Sequence, residues 1–218
     1  MSKKLAVIVG AGKGMGYHIA EKFAQENFKV VLIARRQTAL DEYVAEFTAK
    51  GYEVYSKVAD VSDTPSLSTA FEQIQADLGT VDVLVYNAAL MQDGKLTEMS
   101  SNDLMERYQI DVASALHCVH QVLPKQIEQH SGILLFTGGL FGVHPNENID
   151  YAGLSIGKAA LRSLTLMLNS ELKSKGIFAG IVQIMGVVGS NAHFSPKNIA
   201  EAYWKLYTEK FSFEYIYK

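Results

Sequence analysis

Seven short apolar runs, separated by segments of helical length, constrain the fold of this chain more than any other feature. The runs are KLAVIVG, KVVLIA, YEVYSKV, VDVLVYN, GILLFTG, IFAGIVQIM and SFEYIY. The first six are apolar almost throughout, which is typical of parallel strands covered by helices on both faces. Helices are expected at about residues 15–26, 37–50, 64–77, 101–128, 151–174 and 196–209. This alternation predicts an α/β fold, a doubly wound parallel sheet of about seven strands with right-handed crossovers.

Length and composition are those of a single domain over residues 1–218. A chain of 218 residues with 48% hydrophobic and 20% charged content can form one core. The net charge of −3 provides no basic surface for nucleic acid, and no apolar run approaches the ~20 residues of a membrane span. Neither nucleic acid nor a membrane is therefore an expected partner. The single cysteine, Cys118, excludes an internal disulfide and favours a cytoplasmic location.

A glycine-rich loop, GAGKGMG at residues 10–16, follows the first expected strand directly and precedes an amphipathic helix. Loops of this kind bind dinucleotides, because the backbone N–H groups at the helix start contact the anionic phosphates. We expect Gly10 to allow the tight turn, Gly14 to let the pyrophosphate approach, and Gly16 to let helix and strand pack closely. The loop predicts a Rossmann-like dinucleotide-binding domain. Its expected cofactor-binding residues are Gly10, Gly12, Lys13, Gly14, Met15 and Gly16.

The residues after the second expected strand distinguish NADP(H) from NAD(H). An acidic residue at this place would bind a free ribose 2′-hydroxyl. The sequence has Arg35 and Arg36 instead, and Lys13 stands in the glycine loop. A guanidinium binds a phosphate through two parallel charge-assisted hydrogen bonds. The pattern therefore favours NADP(H) over NAD(H), with one of the two arginines facing solvent.

With these motifs the chain resembles the short-chain dehydrogenase/reductase family over nearly its whole length. GAGKGMG is similar to the family's glycine motif. ADVSD is similar to the segment after the third strand, which implies that Asp60 hydrogen-bonds the adenine and Val61 packs on it. YNAAL resembles the Asn-Ala-Gly motif after the fourth strand, which implies that Asn87, Ala88 and Ala89 border the adenosine ribose. Ala89 replaces the usual glycine.

The catalytic half departs from the family's pattern. The resemblance implies a serine after the fifth strand, a tyrosine that exchanges the substrate's proton and a lysine four residues after that tyrosine. It also implies an asparagine on the preceding long helix. Here Gly138 or Gly139 falls where the serine is expected, and Asp111 takes the position of the asparagine.

The positions of the tyrosine and lysine depend on the register of one helix. SIGKAALRSLTLML is similar to the family's lysine-containing helix, so Lys158 takes the lysine role and Leu154 stands where the tyrosine would be. The alternative register uses Tyr151 as the tyrosine and puts Ser155 at the lysine position. Tyr151 lies seven positions before Lys158, about 10.5 Å along a helix and too far for a hydrogen bond. A loop ahead of the first helical turn could nevertheless fold Tyr151 back.

Other side chains are candidates to support Lys158 or to move a proton. Asp111 is expected to pair with Lys158, because a buried ammonium favours a counter-ion. His144, on the loop before the lysine helix, has the chemistry to replace the missing acid, and Asp150 is a weaker candidate. No metal site is expected from His117, His120, Lys125 and His130.

The segment after the sixth expected strand is short. IMGVVGS retains Gly186 of the family's Pro-Gly motif, with Met185 replacing the proline. The substrate lobe that the family inserts here is expected to be much reduced, at about residues 186–209. Such a site would be open to water or covered by another subunit. Helices 101–128 and 151–174 resemble those of the family's dimer interface, which implies a homodimer or homotetramer.

Two functions remain open at this point. The first is an NADP(H)-dependent oxidoreductase of the short-chain type that acts on a carbonyl or alcohol with an atypical proton donor. The cofactor-facing residues favour it, and a general acid typically contributes about 10²–10⁴-fold, so its loss slows hydride transfer without forbidding it. The second is a catalytically silent NADP(H)-binding protein, a redox sensor or a structural partner in an assembly. The absence of both serine and tyrosine and the short lid favour the second.

Overall fold

A seven-stranded parallel sheet forms the centre of the computed structural model, which describes residues 3–218. The strands are β1 (Leu5–Val9), β2 (Lys29–Ala34), β3 (Val54–Val58), β4 (Val83–Tyr86), β5 (Gly132–Gly139), β6 (Ile177–Ile184) and β7 (Glu214–Tyr217). Their order is β3-β2-β1-β4-β5-β6-β7, and each neighbouring pair is parallel. The predicted doubly wound α/β fold is confirmed.

Helices connect the strands and cover both faces of the sheet. They are α1 (Met15–Gln25), α2 (Gln37–Ala49), α3 (Thr64–Leu78), α4 (Ser101–Tyr108), α5 (Ser114–Glu128), α6 (Leu140–Val143), α7 (Ala152–Leu172) and α8 (Pro196–Glu209). The segment 101–128 differs from the expected continuous helix, because a π-helical turn (Gln109–Ala113) separates α4 from α5. The short α6 was not expected, and a 3-10 turn (Lys173–Lys175) extends α7.

The core consists of two layers, one on each face of the sheet. Side chains alternate along a strand, so Ile8 of β1 packs with α1, α2 and α8, whereas its neighbour Val9 packs with α3, α5 and α7. Each layer contains fully buried aromatic residues, such as Phe23 on one side and Phe71 on the other. Burial of one such side chain contributes about 1.5–3 kcal/mol. This two-sided burial explains why the strands are apolar throughout rather than alternating.

Local signals set the helix starts. The Asp63 side chain accepts a hydrogen bond from the Ser66 backbone N–H at the start of α3, where Pro65 occupies the first turn. Ser100 and Asp103 form a capping box at the start of α4. Within residues 3–218, no helix combines the length and the apolar character that crossing a bilayer requires.

Candidate cofactor and active site

The strand order reverses between β1 and β4, which opens a crevice at the carboxyl edge of the sheet. The chain leaves β1 toward one side and β4 toward the other, so neither loop covers the gap between them. Apart from Lys158 on α7, the segments expected to bind the cofactor follow strands at this edge. They are the glycine loop after β1, the arginine pair after β2, Asp60 and Val61 after β3, Asn87 to Ala89 after β4, and Gly186 after β6.

The glycine loop combines tight backbone packing with open space. Gly10 has a φ of +86°, and a Cβ there would lie 2.6 Å from the backbone nitrogen of Ala88. A Cβ on Gly16 would collide with the carbonyl oxygen of Gly10. Nothing lies within 4 Å of the Cβ positions of Gly12 and Gly14, and no side chain caps α1, whose N-cap residue is Gly14. An uncapped helix start beside open space fits the phosphates of a dinucleotide.

The three cations near the loop are exposed and free to bind an anion. Lys13, Arg35 and Arg36 form no ion pair with any other residue of the described range 3–218. Hydrogen bonds from the Ser62 backbone N–H (2.9 Å) and hydroxyl (2.8 Å), together with the Arg35 charge, hold the pKa of Asp60 below its usual range. This part of the crevice therefore carries several cations and one carboxylate that is ionised at neutral pH.

Asn87 joins three strands at the floor of the crevice. Its Nδ2 donates to the Gly10 carbonyl oxygen (2.9 Å), and its Oδ1 accepts from the Thr137 hydroxyl (2.9 Å). The Thr137 hydroxyl also lies 2.7 Å from the hydroxyl of Tyr203, which is fully buried on α8. Sequence reasoning missed Thr137 and Tyr203, since nothing local marks either as a partner of Asn87.

Lys158 lies on α7 and reaches the end of β5. Its Nζ donates to the Thr137 carbonyl oxygen (2.7 Å), and the residue is only 6% exposed. Burial lowers the pKa of Lys158, while the charge of Asp111 opposes this effect. The expected direct ion pair between Lys158 and Asp111 is not formed, because within the described residues the ammonium bonds to a backbone carbonyl instead. The charge of Asp111 therefore acts on Lys158 electrostatically, without a direct hydrogen bond between the two side chains.

Asp111 occupies the π-helical turn and is fully buried. Its Oδ1 accepts from the Leu90 backbone N–H (2.9 Å), whereas its Oδ2 has no hydrogen-bond partner in the described part of the chain. The Oδ2 atom lies against Gly157 of α7, where a Cβ would collide with it. Burial raises the pKa of Asp111, and the Lys158 charge opposes this. The site thus contains a carboxyl group that is protonated more readily than usual.

The end of β5 shows which glycine has room for a side chain. A Cβ on Gly138 would collide with Oε1 of Gln183. A Cβ on Gly139 would meet only the Ile184 carbonyl oxygen, at 3.5 Å, and its φ of 179° is ordinary extended backbone. Gln183 also accepts a hydrogen bond from the Gly139 backbone N–H (2.7 Å). Only Gly139 is therefore compatible with the serine that the family's pattern implies.

The candidate proton donors lie around the start of α7. Tyr151 precedes the first turn as the N-cap residue, and its ring stacks on Phe141 with 5.8 Å between centroids. Leu154 is buried with 2% exposure. His144 is exposed, and its side chain forms no hydrogen bond within residues 3–218. In that range no hydrogen bond links Tyr151 or His144 to Lys158.

The segment between β6 and α8 is short and held by the carboxyl-terminal strand. A Cβ on Gly186 would collide with the ring of Phe194. The loop is closed by a bond from the Gly189 backbone N–H to the Phe194 carbonyl oxygen (2.8 Å). The Tyr217 hydroxyl of β7 donates to the His193 carbonyl oxygen (2.7 Å). This segment is thus a folded turn attached to the sheet.

Known proteins are similar to this chain in sequence and in architecture. The family model described as short chain dehydrogenase matches residues 4–196. An uncharacterized oxidoreductase of Staphylococcus saprophyticus is 28% identical over 213 residues, which cover 93% of this chain and 90% of that protein. A 3-oxoacyl-(acyl-carrier-protein) reductase of Staphylococcus epidermidis is 28% identical over 180 residues, 82% of this chain and 73% of the reductase. The structure of a metagenomic short-chain oxidoreductase in complex with NADP has a TM-score of 0.89 at 25% identity, covering 99% of this chain and 97% of that one.

Proposed function

Since the chain belongs to the short-chain dehydrogenase family, we propose that it is an NADP(H)-dependent oxidoreductase that acts on a carbonyl or alcohol substrate. The observation that carries this proposal is the crevice itself. It combines open space over Gly12 and Gly14, an uncapped helix start and exposed cations at its edge. The cofactor supplies a hydride equivalent when bound. The NADP complex of the metagenomic relative supports this choice of cofactor.

Different residues of this chain bind different parts of the cofactor. Lys13 and one of the two arginines, Arg35 or Arg36, bind the 2′-phosphate, because none of these cations forms an ion pair within the described residues. The glycine loop with Met15 holds the pyrophosphate. The remaining contacts fall to Asp60 and Val61 at the adenine, Asn87, Ala88 and Ala89 at the adenosine ribose, and Lys158 and Gly186 at the nicotinamide half.

Lys158 holds the ribose at the reacting end. An ammonium has three N–H donors, and one of them is used by the Thr137 carbonyl oxygen. Two donors remain for the ribose hydroxyls. The positive charge of Lys158 also stabilises negative charge that develops nearby on the substrate during the reaction.

An atypical group replaces the usual tyrosine as proton donor, since Leu154 has no proton to give. The candidates are Tyr151, Asp111, Lys158 and His144. Tyr151 is favoured over His144 because its half-buried ring is fixed by Phe141 and by a backbone bridge to Gly94. A Tyr151→Phe variant that lowers kcat about 10²-fold without changing NADPH affinity would support this choice. Full activity of that variant would exclude it.

Titration of the protein with NADPH and NADH, followed by turnover on a panel of aldehydes, ketones and alcohols, tests the proposed function. We expect NADPH to bind at least about tenfold more tightly. The double variant Arg35→Ala/Arg36→Ala should lose this preference and keep its affinity for NADH. Preference of the unmodified protein for NADH would contradict the assignment of the three cations.

A catalytically silent NADP(H)-binding protein, a redox sensor or an assembly partner, is the second candidate function. The sequence feature in its favour is that Gly139 and Leu154 stand where the serine and the tyrosine are expected, and neither side chain has an ionisable proton. Tight NADPH binding without turnover of any substrate in the panel would favour it over the oxidoreductase.

A further inference from the structure

A series of hydrogen bonds connects the carboxyl-terminal strand β7 to the end of β5. Oε1 of Glu214 accepts from Nε2 of Gln183 on β6 (2.9 Å), and Oε1 of Gln183 accepts from the Gly139 backbone N–H (2.7 Å). The Glu214 carboxylate also accepts two bonds from Arg162 of α7, from Nε (2.6 Å) and from Nη2 (2.9 Å). We call these residues the β7–β5 link, which consists of Arg162, Glu214, Gln183 and Gly139.

Strand register places the side chains of the β7–β5 link on one face of the sheet. Glu214 pairs with Ile181, two residues before Gln183, and side chains two residues apart on a strand share a face. Gln183 pairs with Gly138 of β5. A Cβ on Gly138 would collide with Oε1 of Gln183, so the missing side chain of this glycine makes room for the amide.

Gln183 is a fully buried amide in a strand whose other side chains are apolar. A buried amide is costly unless it is hydrogen-bonded, and here both its oxygen and its nitrogen are used. An aliphatic side chain would fill the same space but would leave the Gly139 N–H without this acceptor. The bond to Gly139 is therefore the specific contribution of Gln183.

Glu214 anchors Gln183 with a charged acceptor. Its side chain is only 13% exposed, and the Arg162 guanidinium balances its charge. The hydrogen bonds from Arg162 hold the pKa of Glu214 below its usual range, although burial opposes them. The carboxylate is thus ionised at neutral pH, and hydrogen bonds to an ionised acceptor are stronger than neutral ones.

Helix α7 holds the end of β5 at two points. Lys158 binds the Thr137 carbonyl oxygen directly. Arg162 lies four residues later, on the same face of the helix, and reaches Gly139 through the link. The two points lie on either side of Gly138, so the link restrains the backbone that presents the Thr137 carbonyl oxygen to Lys158.

We propose, on the basis of the cofactor role assigned above, that Gln183 and Glu214 are positioning residues for the nicotinamide half of NADP(H). They fix the end of β5, and β5 in turn fixes the ammonium of Lys158 that is assigned to the ribose. Gln183 is fully buried, so it acts through the backbone and not by touching the cofactor. The adenosine half is assigned to segments after β1, β2, β3 and β4, and its binding does not depend on the link.

Titration with NADPH and with 2′,5′-ADP, which has the adenosine and the 2′-phosphate but no nicotinamide, tests this role on the full chain. The variants are Gln183→Met and Glu214→Gln, which keep the length of each side chain. We expect each to weaken NADPH binding by about 2- to 13-fold, the range for one hydrogen bond, and to leave 2′,5′-ADP affinity unchanged. Unchanged 2′,5′-ADP affinity also shows that the variant is folded. Glu209→Gln, at an exposed position of α8, is the matched control and should bind both ligands as the unmodified protein does.

The double variant Gln183→Met/Glu214→Gln shows whether the two residues act as one unit. It should bind NADPH about as well as Gln183→Met alone, because the link is already broken in that variant. Additive losses would contradict the link. Equal weakening of NADPH and 2′,5′-ADP, or unchanged NADPH affinity in Gln183→Met, would overturn the positioning role and leave the cofactor assignment standing. An unmodified protein that binds neither ligand would overturn both.

Discussion

Lys158 is a buried cation whose only direct partner in the described residues is the Thr137 carbonyl oxygen. We expect Lys158→Ala to weaken NADPH binding by about 10- to 100-fold, because hydrogen bonds from a charged donor contribute about 1.5–3 kcal/mol. Isothermal titration measures the change. Lys125→Ala, at an exposed position of α5, is the matched control and should leave the affinity as it is. Equal affinity of both variants would contradict the role assigned to Lys158.

Asp111 makes stability depend on pH in a direction opposite to that of most carboxyl groups. Burial raises its pKa above the ordinary value of 3.8, so the folded protein keeps a proton that the unfolded chain has already released. The contribution of Asp111 to the free energy of unfolding is fully present below the pKa that this group has in the unfolded chain. It is lost as the pH rises through the pKa that the group has in the folded protein.

Thermal denaturation of the unmodified protein and of Asp111→Asn, which does not titrate, tests this dependence. Relative to Asp111→Asn, the melting temperature of the unmodified protein should fall as pH rises from about 4 toward neutrality. The difference in melting temperature between the two proteins could instead stay constant over this range or change in the opposite direction. Either result would show that Asp111 has a usual or lowered pKa in the folded protein.

At the scale of secondary-structure elements, the end of β5 distinguishes two adjacent glycines. Gly138→Ser should destabilise the protein by about 1–3 kcal/mol, because its side chain would collide with Gln183. Gly139→Ser should leave the free energy of unfolding within about 0.5 kcal/mol, as at an ordinary unstrained site. Urea denaturation of the two variants measures both values. Equal destabilisation by the two variants would mean that Gly138 and Gly139 do not differ in the space available for a side chain.

The packing of α7 against the π-helical turn gives another prediction. Alanine in place of glycine within a helix usually stabilises by about 0.5–1 kcal/mol. Gly157→Ala should instead destabilise by about 1–3 kcal/mol, because its Cβ would collide with the Asp111 carboxylate.

A double-mutant cycle by urea denaturation isolates this contact. Much of the destabilisation in Gly157→Ala should disappear when Asp111→Ala removes the carboxylate. Ser163→Ala, at an exposed position of α7, controls for helix propensity and should change stability little. Additive effects of Gly157→Ala and Asp111→Ala would show that the two residues do not touch.

At the scale of the whole molecule, we propose that exposed apolar side chains on α7 belong to the interface of the homodimer or homotetramer that the family resemblance implies. Leu166 is 43% exposed and Met167 is 65% exposed, and apolar patches on helices favour association. We expect Met167→Glu to shift the protein toward the monomer in light scattering. Val58→Glu, on the edge strand β3, is the control and should leave the mass unchanged. A monomeric unmodified protein would contradict the predicted interface.

The sequence by itself determined the parallel sheet, the alternation of its strands with helices, and the glycine loop. It also predicted that Leu154, and either Gly138 or Gly139, depart from the family's catalytic pattern. These conclusions depend on short-range features, such as apolar runs, helix caps and glycine spacing, which can be recognised without knowing what packs against them.

Only the tertiary structure decided that Lys158 bonds to Thr137 rather than to Asp111 and that Gly139 rather than Gly138 has room for a side chain. It also placed a π-helical turn where a continuous helix was expected. Each of these features depends on contacts between segments far apart in the chain. Strand register and helix packing set the distances between these contacting residues. No short stretch of the sequence encodes such distances.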